Sequence, residues 1–134
     1  MCKGNILIVD DQPDNLNLLI GLLSEQGYIV RPALSGKLAL RSIQSTLPDL
    51  ILLDIMMPEM DGYEVCTQLK ASERTQDIPI IFISALNEVF DTVKAFSLGE
   101  ADYITKPFQP QEVLVRIENQ LRIRRLSEQL LEQN

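Results

Sequence analysis

Residues 50–62 read LILLDIMMPEMDG and form the most informative segment of the chain. The first four are apolar and lead directly into Asp54, without the polar alternation of a strand that has one solvent-exposed face. Such a run predicts a strand buried on both sides. The rest of the segment contains Pro58 and Gly62, which are typical of loops, so we expect a loop after Asp54 and a helix after Gly62. A strand buried on both sides needs covering elements on both faces.

The alternation of apolar run and helical pattern continues outward in both directions. Four further short apolar runs predict strands at residues 5–10, 28–33, 80–84 and 102–105. Apolar residues at helical spacing predict helices between Pro13 and Gly27, between Ser35 and Pro48, after Gly62, over about residues 87–98, and from about Gln109. Five strands alternating with five helices predict a doubly wound α/β fold, with a parallel sheet covered on both faces.

Composition excludes several classes of function. The chain has no histidine, which rules out histidine metal sites, Ser-His or Cys-His nucleophile pairs, and a phosphohistidine of its own. Nineteen acidic against 12 basic residues give a net charge of -7, which argues against binding nucleic acid or anionic lipid through the general surface. Two cysteines imply no disulfide framework, and no apolar stretch approaches the ~20 residues that span a bilayer. We expect a cytoplasmic domain with no direct nucleic-acid contact and no membrane partner.

Polar residues follow four of the five predicted strands. They are Asp10 and Asp11 after the first strand, Asp54 at the end of the third, Ser84 at the end of the fourth and Lys106 after the fifth. Because the carboxyl ends of parallel strands meet at one edge, where open α/β sheets bind ligands, we expect these groups to lie together. Each residue alone is commonly a helix cap or a surface charge. However, Asp10 and Asp11 cannot both cap one helix, and Asp14 is better placed to do so.

Three carboxylates brought together repel one another unless a cation neutralises them or their pKa values rise. In the absence of histidine they are hard oxygen ligands that suit Mg²⁺, with Mn²⁺ as a substitute. A phosphoryl group at this edge would also meet the Lys106 ammonium and the Ser84 hydroxyl, groups that can neutralise the charge of phosphoryl transfer. Asp54 stands alone on the central strand, and we expect it to be the nucleophile that forms an acyl phosphate.

These motifs resemble the response-regulator receiver domains of two-component signalling, the CheY-like family. The resemblance covers about residues 4–121 and rests on Asp10-Asp11, LILLDIMMPEMDG, Ser84-Ala85 and ADYITKPF. It implies a flavodoxin-like sheet in the order 2-1-3-4-5. It also implies that the chain is no enzyme beyond its own phosphorylation and dephosphorylation. The implied phosphoryl donor is a sensor histidine kinase or a phosphotransfer protein.

The resemblance implies a role for each residue of the edge. Asp54 would accept the phosphoryl group, and Asp11 and Asp54 would bind Mg²⁺ directly together with the backbone carbonyl of Met56. Asp10 would act on the metal through water, and Lys106 would bind phosphoryl oxygens.

Further implied roles concern the response to phosphorylation. Ser84 would move toward the phosphoryl group, and Tyr103 matches the aromatic switch position that turns inward with it. The Lys106–Pro107 peptide bond would be cis. By analogy with the family, Met56 and Leu86 would border the path of hydrolytic water, and since both are bulky and apolar we expect slow self-dephosphorylation.

Helix-forming sequence continues past the expected end of the domain at residue 121. We therefore divide the chain into a receiver domain, residues 1–121, and a helical extension, residues 122–134. Two apolar stripes can be read along this helix, one of Leu114, Ile117 and Leu121 and the other of Ile123, Leu126 and Leu130. The second stripe favours a short coiled coil, hence a homodimer and a connection to an output domain beyond Asn134, either a histidine kinase or a cyclic-dinucleotide enzyme. A frayed, solvated tail is the alternative.

Three other functions fit parts of the pattern. A flavodoxin-type flavin carrier has the same fold, but the acidic loop after the first strand would repel a phosphate that lacks a metal. A Mg²⁺-dependent hydrolase would need a second catalytic acid and a substrate pocket, neither of which the sequence offers. A scaffold with a degenerate site is disfavoured because every site group is present.

Overall fold

A computed structural model describes residues 3–85 and 102–133 of the chain. Five parallel strands form one sheet in the order β2-β1-β3-β4-β5. The strands are β1 (Asn5–Val9), β2 (Ile29–Ala33), β3 (Leu50–Asp54), β4 (Ile80–Ala85) and β5 (Asp102–Lys106). The described helices are α1 (Pro13–Glu25), α2 (Gly36–Ser45), α3 (Gly62–Lys70) and the C-terminal helix (Pro110–Gln133). The predicted sheet and its strand order are confirmed; the helix predicted over about residues 87–98 lies outside the described residues.

The sheet carries an apolar core on each face, as the uninterrupted apolar strands predict. Alternate residues of the central strands point to opposite sides. One set packs with α2 and α3, and its strand members are Leu7, Val9, Ile51, Leu53, Ile80 and Phe82. The other packs with α1 and the C-terminal helix, and its strand members are Ile6, Ile8, Leu50, Leu52, Ile81 and Ile83. Strand β3 is buried along its whole length.

The ends of α1 follow local rules, with one correction to the sequence prediction. Gly27 adopts a φ of 95° just past the helix and donates to the Ser24 carbonyl, while the next amide donates to Leu23. The expectation that Asp14 caps the start is wrong, because the N-cap is Gln12 and its side chain makes no capping hydrogen bond. Pro13 occupies the first helical position, where a missing N–H costs little, so the helix begins before Asp14 and leaves that residue in its first turn.

The C-terminal helix packs on the sheet through Val113, Ile117 and Leu121, all of which are buried. The predicted inner stripe was correct at two of its three positions, but Leu114 is only partly buried and Val113 takes its place. Past residue 121, the helix still touches the domain. Arg124 donates to the backbone carbonyl of Asp49 at 2.8 Å, and Arg125 donates to that of Lys3 at 3.2 Å. None of the described helices is long and apolar enough to cross a membrane.

Candidate functional site

The carboxyl edge of the sheet brings together the side chains that the sequence places after its strands. Asp10 follows β1, Asp54 is the last residue of β3, Ser84 lies near the end of β4, and Lys106 ends β5. Asp10, Asp54 and Ser84 are nearly inaccessible to solvent, with 0%, 3% and 4% of their surfaces exposed. Burying polar groups costs free energy, and the apolar core does not require these three at one edge. Their convergence therefore indicates a binding site.

Three carboxylates form a cluster that fits a cation. One oxygen from each of Asp10, Asp11 and Asp54 lies within 4.8 Å of the others. Lys106 is the cation beside them, so three carboxylates and one ammonium leave two net negative charges when all are ionised. A divalent ion would neutralise this excess, and carboxylate oxygens are the ligands that Mg²⁺ prefers. The donor set therefore fits the hard divalent cation that the sequence predicts.

Lys106 connects the two buried acids. Its Nζ lies 3.2 Å from Oδ2 of Asp54 and 3.3 Å from Oδ2 of Asp10. Burial lowers the pKa of Lys106, but the carboxylates of Asp54 and Asp10 outweigh burial and hold the pKa above its ordinary value. The ammonium is therefore charged throughout the physiological range, at a position next to the Asp54 oxygen.

The pKa of Asp54 is raised from 3.8 to about 7. Burial is the largest cause, the neighbouring charge of Asp10 adds to it, and Lys106 opposes both. Near neutral pH the metal-free carboxyl is thus divided between its acid and ionised forms. A nucleophilic carboxylate has to be ionised, so a cation bound beside it would favour the reactive form.

Asp10 is held by groups that sequence reasoning missed. The Gln12 amide donates to Oδ1 of Asp10 at 2.9 Å, and Nδ2 of Asn15 donates to Oδ2 at 3.3 Å. Asn15 also donates to Oε1 of Gln12 at 3.0 Å. Only the position of Asn15 in the first turn of α1 could have indicated this role, since that turn faces the edge. Asp11 is half-buried and completes the cluster from the solvent side.

The loop after Asp54 is fixed by a glycine that sequence reasoning treated only as a loop residue. A Cβ at Gly62 would lie 2.8 Å from Cα of Ile55 and would collide with the backbone carbonyl of Asp54. The Gly62 amide donates to the Ile55 carbonyl at 2.8 Å, which closes the loop. Close packing of α3 against the Asp54 backbone therefore requires glycine here.

Met56 lies inside this loop, where its amide donates to Oδ1 of Asp54 at 3.3 Å. The contact orients the carboxylate, while the Met56 side chain is 58% exposed. The metal-binding role implied for the Met56 carbonyl stays a prediction. Leu86, the other residue expected beside the path of water, lies outside the described residues.

The two predicted switch residues lie on neighbouring strands. Ser84 of β4 pairs in register with Thr105 of β5, which brings it beside the edge. The Tyr103 side chain is 44% exposed, and the Arg116 guanidinium lies 6.0 Å from the centre of its ring. Tyr103 thus points outward, toward the C-terminal helix. The Lys106–Pro107 peptide bond is cis, as the resemblance implies.

Comparisons with known proteins agree with this geometry. Residues 6–118 match the family described as the response regulator receiver domain. The chain is 41% identical over 117 residues to RpaA, a DNA-binding dual master transcriptional regulator of Synechocystis. It is 44% identical over 117 residues to PhoP, the alkaline phosphatase synthesis transcriptional regulatory protein of Bacillus subtilis. Each alignment covers 87% of this chain but only 48% of the relative, so the chain spans about half the length of these curated relatives.

Solved structures show the same similarity. A putative response regulator from Chloroflexus aurantiacus superposes with a TM-score of 0.83 at 36% identity, covering 88% of this chain and 97% of that one. The receiver domain of a signal transduction histidine kinase from Syntrophus aciditrophicus gives 0.81 at 37% identity, covering 88% and 89%. NtrX from Brucella abortus matches all of this chain with 30% of its own, at 29% identity and a TM-score of 0.91. The family match, the parallel sheet and the acidic cluster agree, and the chain belongs to the response regulator receiver domain family, whose members are not enzymes in the ordinary sense.

Proposed function

We propose that this chain is a phosphoacceptor in a two-component system, with Asp54 as the residue that receives the phosphoryl group. The observation that carries the proposal is the position of the Asp54 carboxylate, which is buried among two further carboxylates with Lys106 Nζ at 3.2 Å. Because residues 1–134 contain no histidine, the phosphohistidine donor would be another domain or protein, either a sensor histidine kinase or a phosphotransfer protein.

The acidic cluster is suited to Mg²⁺, with Mn²⁺ as a substitute. Asp11, Asp54 and the Met56 carbonyl would bind the ion directly, and Asp10 would act through water. When bound, the ion supplies positive charge that favours the ionised form of Asp54 and neutralises phosphoryl oxygens. Asn15 and the Gln12 amide hold Asp10 in place, which keeps the cluster ready for the ion.

In the transfer step, an oxygen of the Asp54 carboxylate attacks phosphorus. The new O–P bond forms as the P–N bond of the donor phosphohistidine breaks, and the electron pair of that bond returns to the imidazole. Lys106 stands beside the carboxylate and would neutralise charge on the phosphoryl oxygens, while the Ser84 hydroxyl would donate a hydrogen bond. The product is an acyl phosphate on Asp54.

Phosphorylation would be transmitted through β5 to the C-terminal helix. Movement of Ser84 toward the phosphoryl group would open room beside β5 for Tyr103 to turn inward. That rotation would separate the ring from Arg116, which also forms an ion pair with Asp102 at 2.7 Å. The face formed by Tyr103 and the C-terminal helix would then present a different surface to an output domain.

We keep the division into a receiver domain of residues 1–121 and a helical extension of residues 122–134 that leads to an output domain. A histidine kinase or a cyclic-dinucleotide enzyme is the output that we propose from the sequence. The relatives RpaA and PhoP are transcriptional regulators, which favours a DNA-binding output as the second candidate. In either case the receiver would act in the cytoplasm, without itself contacting nucleic acid or membrane.

The proposal is tested by phosphorylation with acetyl phosphate, followed by intact-mass measurement. With Mg²⁺ present, the wild-type chain should gain one phosphoryl group, and chelation of the metal should prevent the gain. Asp54→Asn should abolish it, whereas Asp77→Asn, at an exposed position away from the cluster, should not. Full labelling of Asp54→Asn would refute the proposal, and repeated turnover of a phosphate ester would favour the hydrolase alternative.

A further inference from the structure

An apolar groove lies at the β2 edge of the sheet, between α1 and α2, and we call it the β2 groove. Its volume is about 430 Å³, and apolar side chains form most of its lining. The main lining residues are Leu16 and Ile20 of α1, Pro32 and Ala33 of β2, Leu34 just before α2, and Leu38 within α2. Two of these side chains are open to solvent, with Leu34 48% and Leu38 45% exposed. Apolar surface gathered in a groove typically marks a site where a partner binds.

Packing of α2 on the sheet does not account for the two exposed leucines. The helix is buried through Gly36, Ala39 and Ile43. At ~100° per residue, Leu38 lies on another side of the helix, and Leu34 precedes it by about one turn. The exposed leucines therefore form a separate apolar strip that the domain itself leaves uncovered.

Two exposed cations lie beside these leucines. Leu34, Lys37, Leu38 and Arg41 follow one another at intervals of three, one and three residues, which is the spacing of one helix face. Lys37 and Arg41 are exposed, and within residues 3–85 and 102–133 neither forms a salt bridge. One face of α2 thus presents apolar and positively charged groups side by side.

The region around the groove also differs in charge from the rest of the chain. Residues 26–48 contain three basic residues and no acidic one, so the net charge of -7 combines +3 in this segment with -10 elsewhere. Arg31, the third basic residue, already donates to Ser42 and to the Thr46 carbonyl. A partner that carries carboxylates beside an apolar face would be attracted to Lys37 and Arg41 and repelled by most of the remaining surface.

The edge strand argues against a partner that adds a further β-strand. The Ile29 amide and the Ala33 carbonyl both hydrogen-bond toward β1, so the backbone groups of Val30 and Pro32 face the open edge. Pro32 has no N–H to donate to an added strand. An amphipathic helix can bind in a groove through its side chains alone, so a helix fits this edge better than a strand does.

We infer that the β2 groove binds an amphipathic helix of a partner protein, with apolar side chains in the groove and carboxylates facing Lys37 and Arg41. This inference goes beyond the proposed function, because no residue that lines the groove belongs to the acidic cluster. Nucleic acid and anionic membranes fit less well, because two cations are few for a surface of phosphates and the net charge of the domain would repel it.

NMR titration of the isotope-labelled full chain with a synthetic peptide tests the inference. The probe is a peptide of about 18 residues, long enough to form a helix, with leucines on one face and glutamates beside them. Amide signals of residues 16–20 and 34–41 should shift, and the affinity should fall as salt is added. A scrambled peptide of the same composition should bind at least about tenfold more weakly, because it has no apolar face. Absence of binding, shifts centred elsewhere, or equal binding of the scrambled peptide would overturn the inference.

Substitutions separate the apolar and charged parts of the groove. Leu38→Gln should weaken binding of the peptide about tenfold, because a leucine contact is lost. Leu18→Gln is the matched control, since Leu18 is 58% exposed on the side of α1 that faces away from Ile20. Lys37→Gln combined with Arg41→Gln should remove most of the salt dependence. Equal effects of the two leucine substitutions, or an unchanged salt dependence, would contradict the proposed binding mode.

Two further measurements separate this inference from its alternatives and from the proposed function. Tighter binding of a DNA duplex or of phosphatidylserine vesicles than of the peptide, lost with Lys37 and Arg41, would overturn the inference. Asp54→Asn should bind the peptide as the wild-type chain does. A wild-type chain that binds the peptide in the groove but accepts no phosphoryl group would refute the proposed function and leave the groove assignment intact.

Discussion

The carboxyl and amino edges of the sheet use charge in opposite ways. At the carboxyl edge, the described residues place three carboxylates together, and the two that are almost fully buried, Asp10 and Asp54, both contact the Lys106 ammonium. At the amino edge, the guanidinium groups of Arg124 and Arg125 bind neutral backbone carbonyls. The first arrangement is electrostatically incomplete and should respond to an added cation or phosphoryl group. The second is already satisfied and should act as a rigid connection to the C-terminal helix.

The largest effect on folding free energy is expected from adding one methyl group at the carboxyl edge, at Gly62. Gly62→Ala would push a Cβ into the backbone of Asp54 and Ile55, so α3 or the site loop must move. We expect a loss of several kcal/mol of folding free energy, measured by urea denaturation. Gly21→Ala is the control, because its added Cβ in α1 would meet no atom within 4 Å apart from its chain neighbours and the backbone of its own helix. That substitution should stabilise the chain by up to about 1 kcal/mol. Equal effects of the two changes would contradict the close packing at Gly62.

The stabilisation of the carboxyl edge by magnesium should depend on pH. The folded pKa of Asp54, about 7, lies above its ordinary value of 3.8. Stability from the protonated carboxyl is therefore fully present below pH ~4 and is lost as the pH rises through about 7. Since Mg²⁺ replaces that proton, it should raise the melting temperature more at pH 8 than at pH 5, by several °C. Asp54→Asn should reduce this difference. An equal magnesium effect at both pH values would contradict the raised pKa.

A smaller effect is expected from the residue that supports Asp10. Asn15→Ala removes the hydrogen bond from Nδ2 to Oδ2 of Asp10 and leaves the carboxylates in place. Magnesium affinity, measured by titration calorimetry, should fall on the order of tenfold, as is usual for groups that orient a ligand. Asn17→Ala, on the exposed side of the same helix, should leave the affinity unchanged. If both variants bind Mg²⁺ as the wild-type chain does, Asn15 has no supporting role.

The smallest effect on the free energy of unfolding is expected at the amino edge. Arg124→Ala removes one hydrogen bond to the Asp49 carbonyl and the ion pair with Glu128. The free energy of unfolding should fall by only about 1 kcal/mol, and magnesium binding should not change. Arg122→Ala is the control, since its described hydrogen bond is to Asn119 within the same helix. A change in magnesium affinity in either variant would show that the two edges are not independent.

The sequence predicted the parts of the molecule that depend on local pattern. Apolar runs identified the strands, and the geometry of parallel sheets then brought Asp10, Asp54 and Lys106 together without any knowledge of their distances. Details that depend on tertiary approach could not be read in this way. Gly62 is essential because α3 comes close to the Asp54 backbone, and Asn15 matters because α1 turns that side chain toward Asp10.

The same limit applies to the C-terminal helix. The inner stripe was predicted one residue out of phase at Leu114, because the buried direction is set by how the helix leaves β5 and not by its own periodicity. In the sequence analysis, Arg124 and Arg125 have no predicted role. Their contacts with Asp49 and Lys3 join residues far apart in the chain, so no local signal could have indicated them.

The most direct test of the central claim is to locate the phosphoryl group in the wild-type chain. After reaction with acetyl phosphate and Mg²⁺, tandem mass spectrometry of the tryptic peptide of residues 42–70 separates Asp49, Asp54 and Asp61. We predict a single phosphoryl group on Asp54 and none when the metal is chelated. Two results would contradict the assignment of Asp54 as the phosphoacceptor of a magnesium-dependent site. One is a phosphoryl group on Asp10, Asp11 or Asp61 in place of Asp54, and the other is equal labelling with and without the chelator.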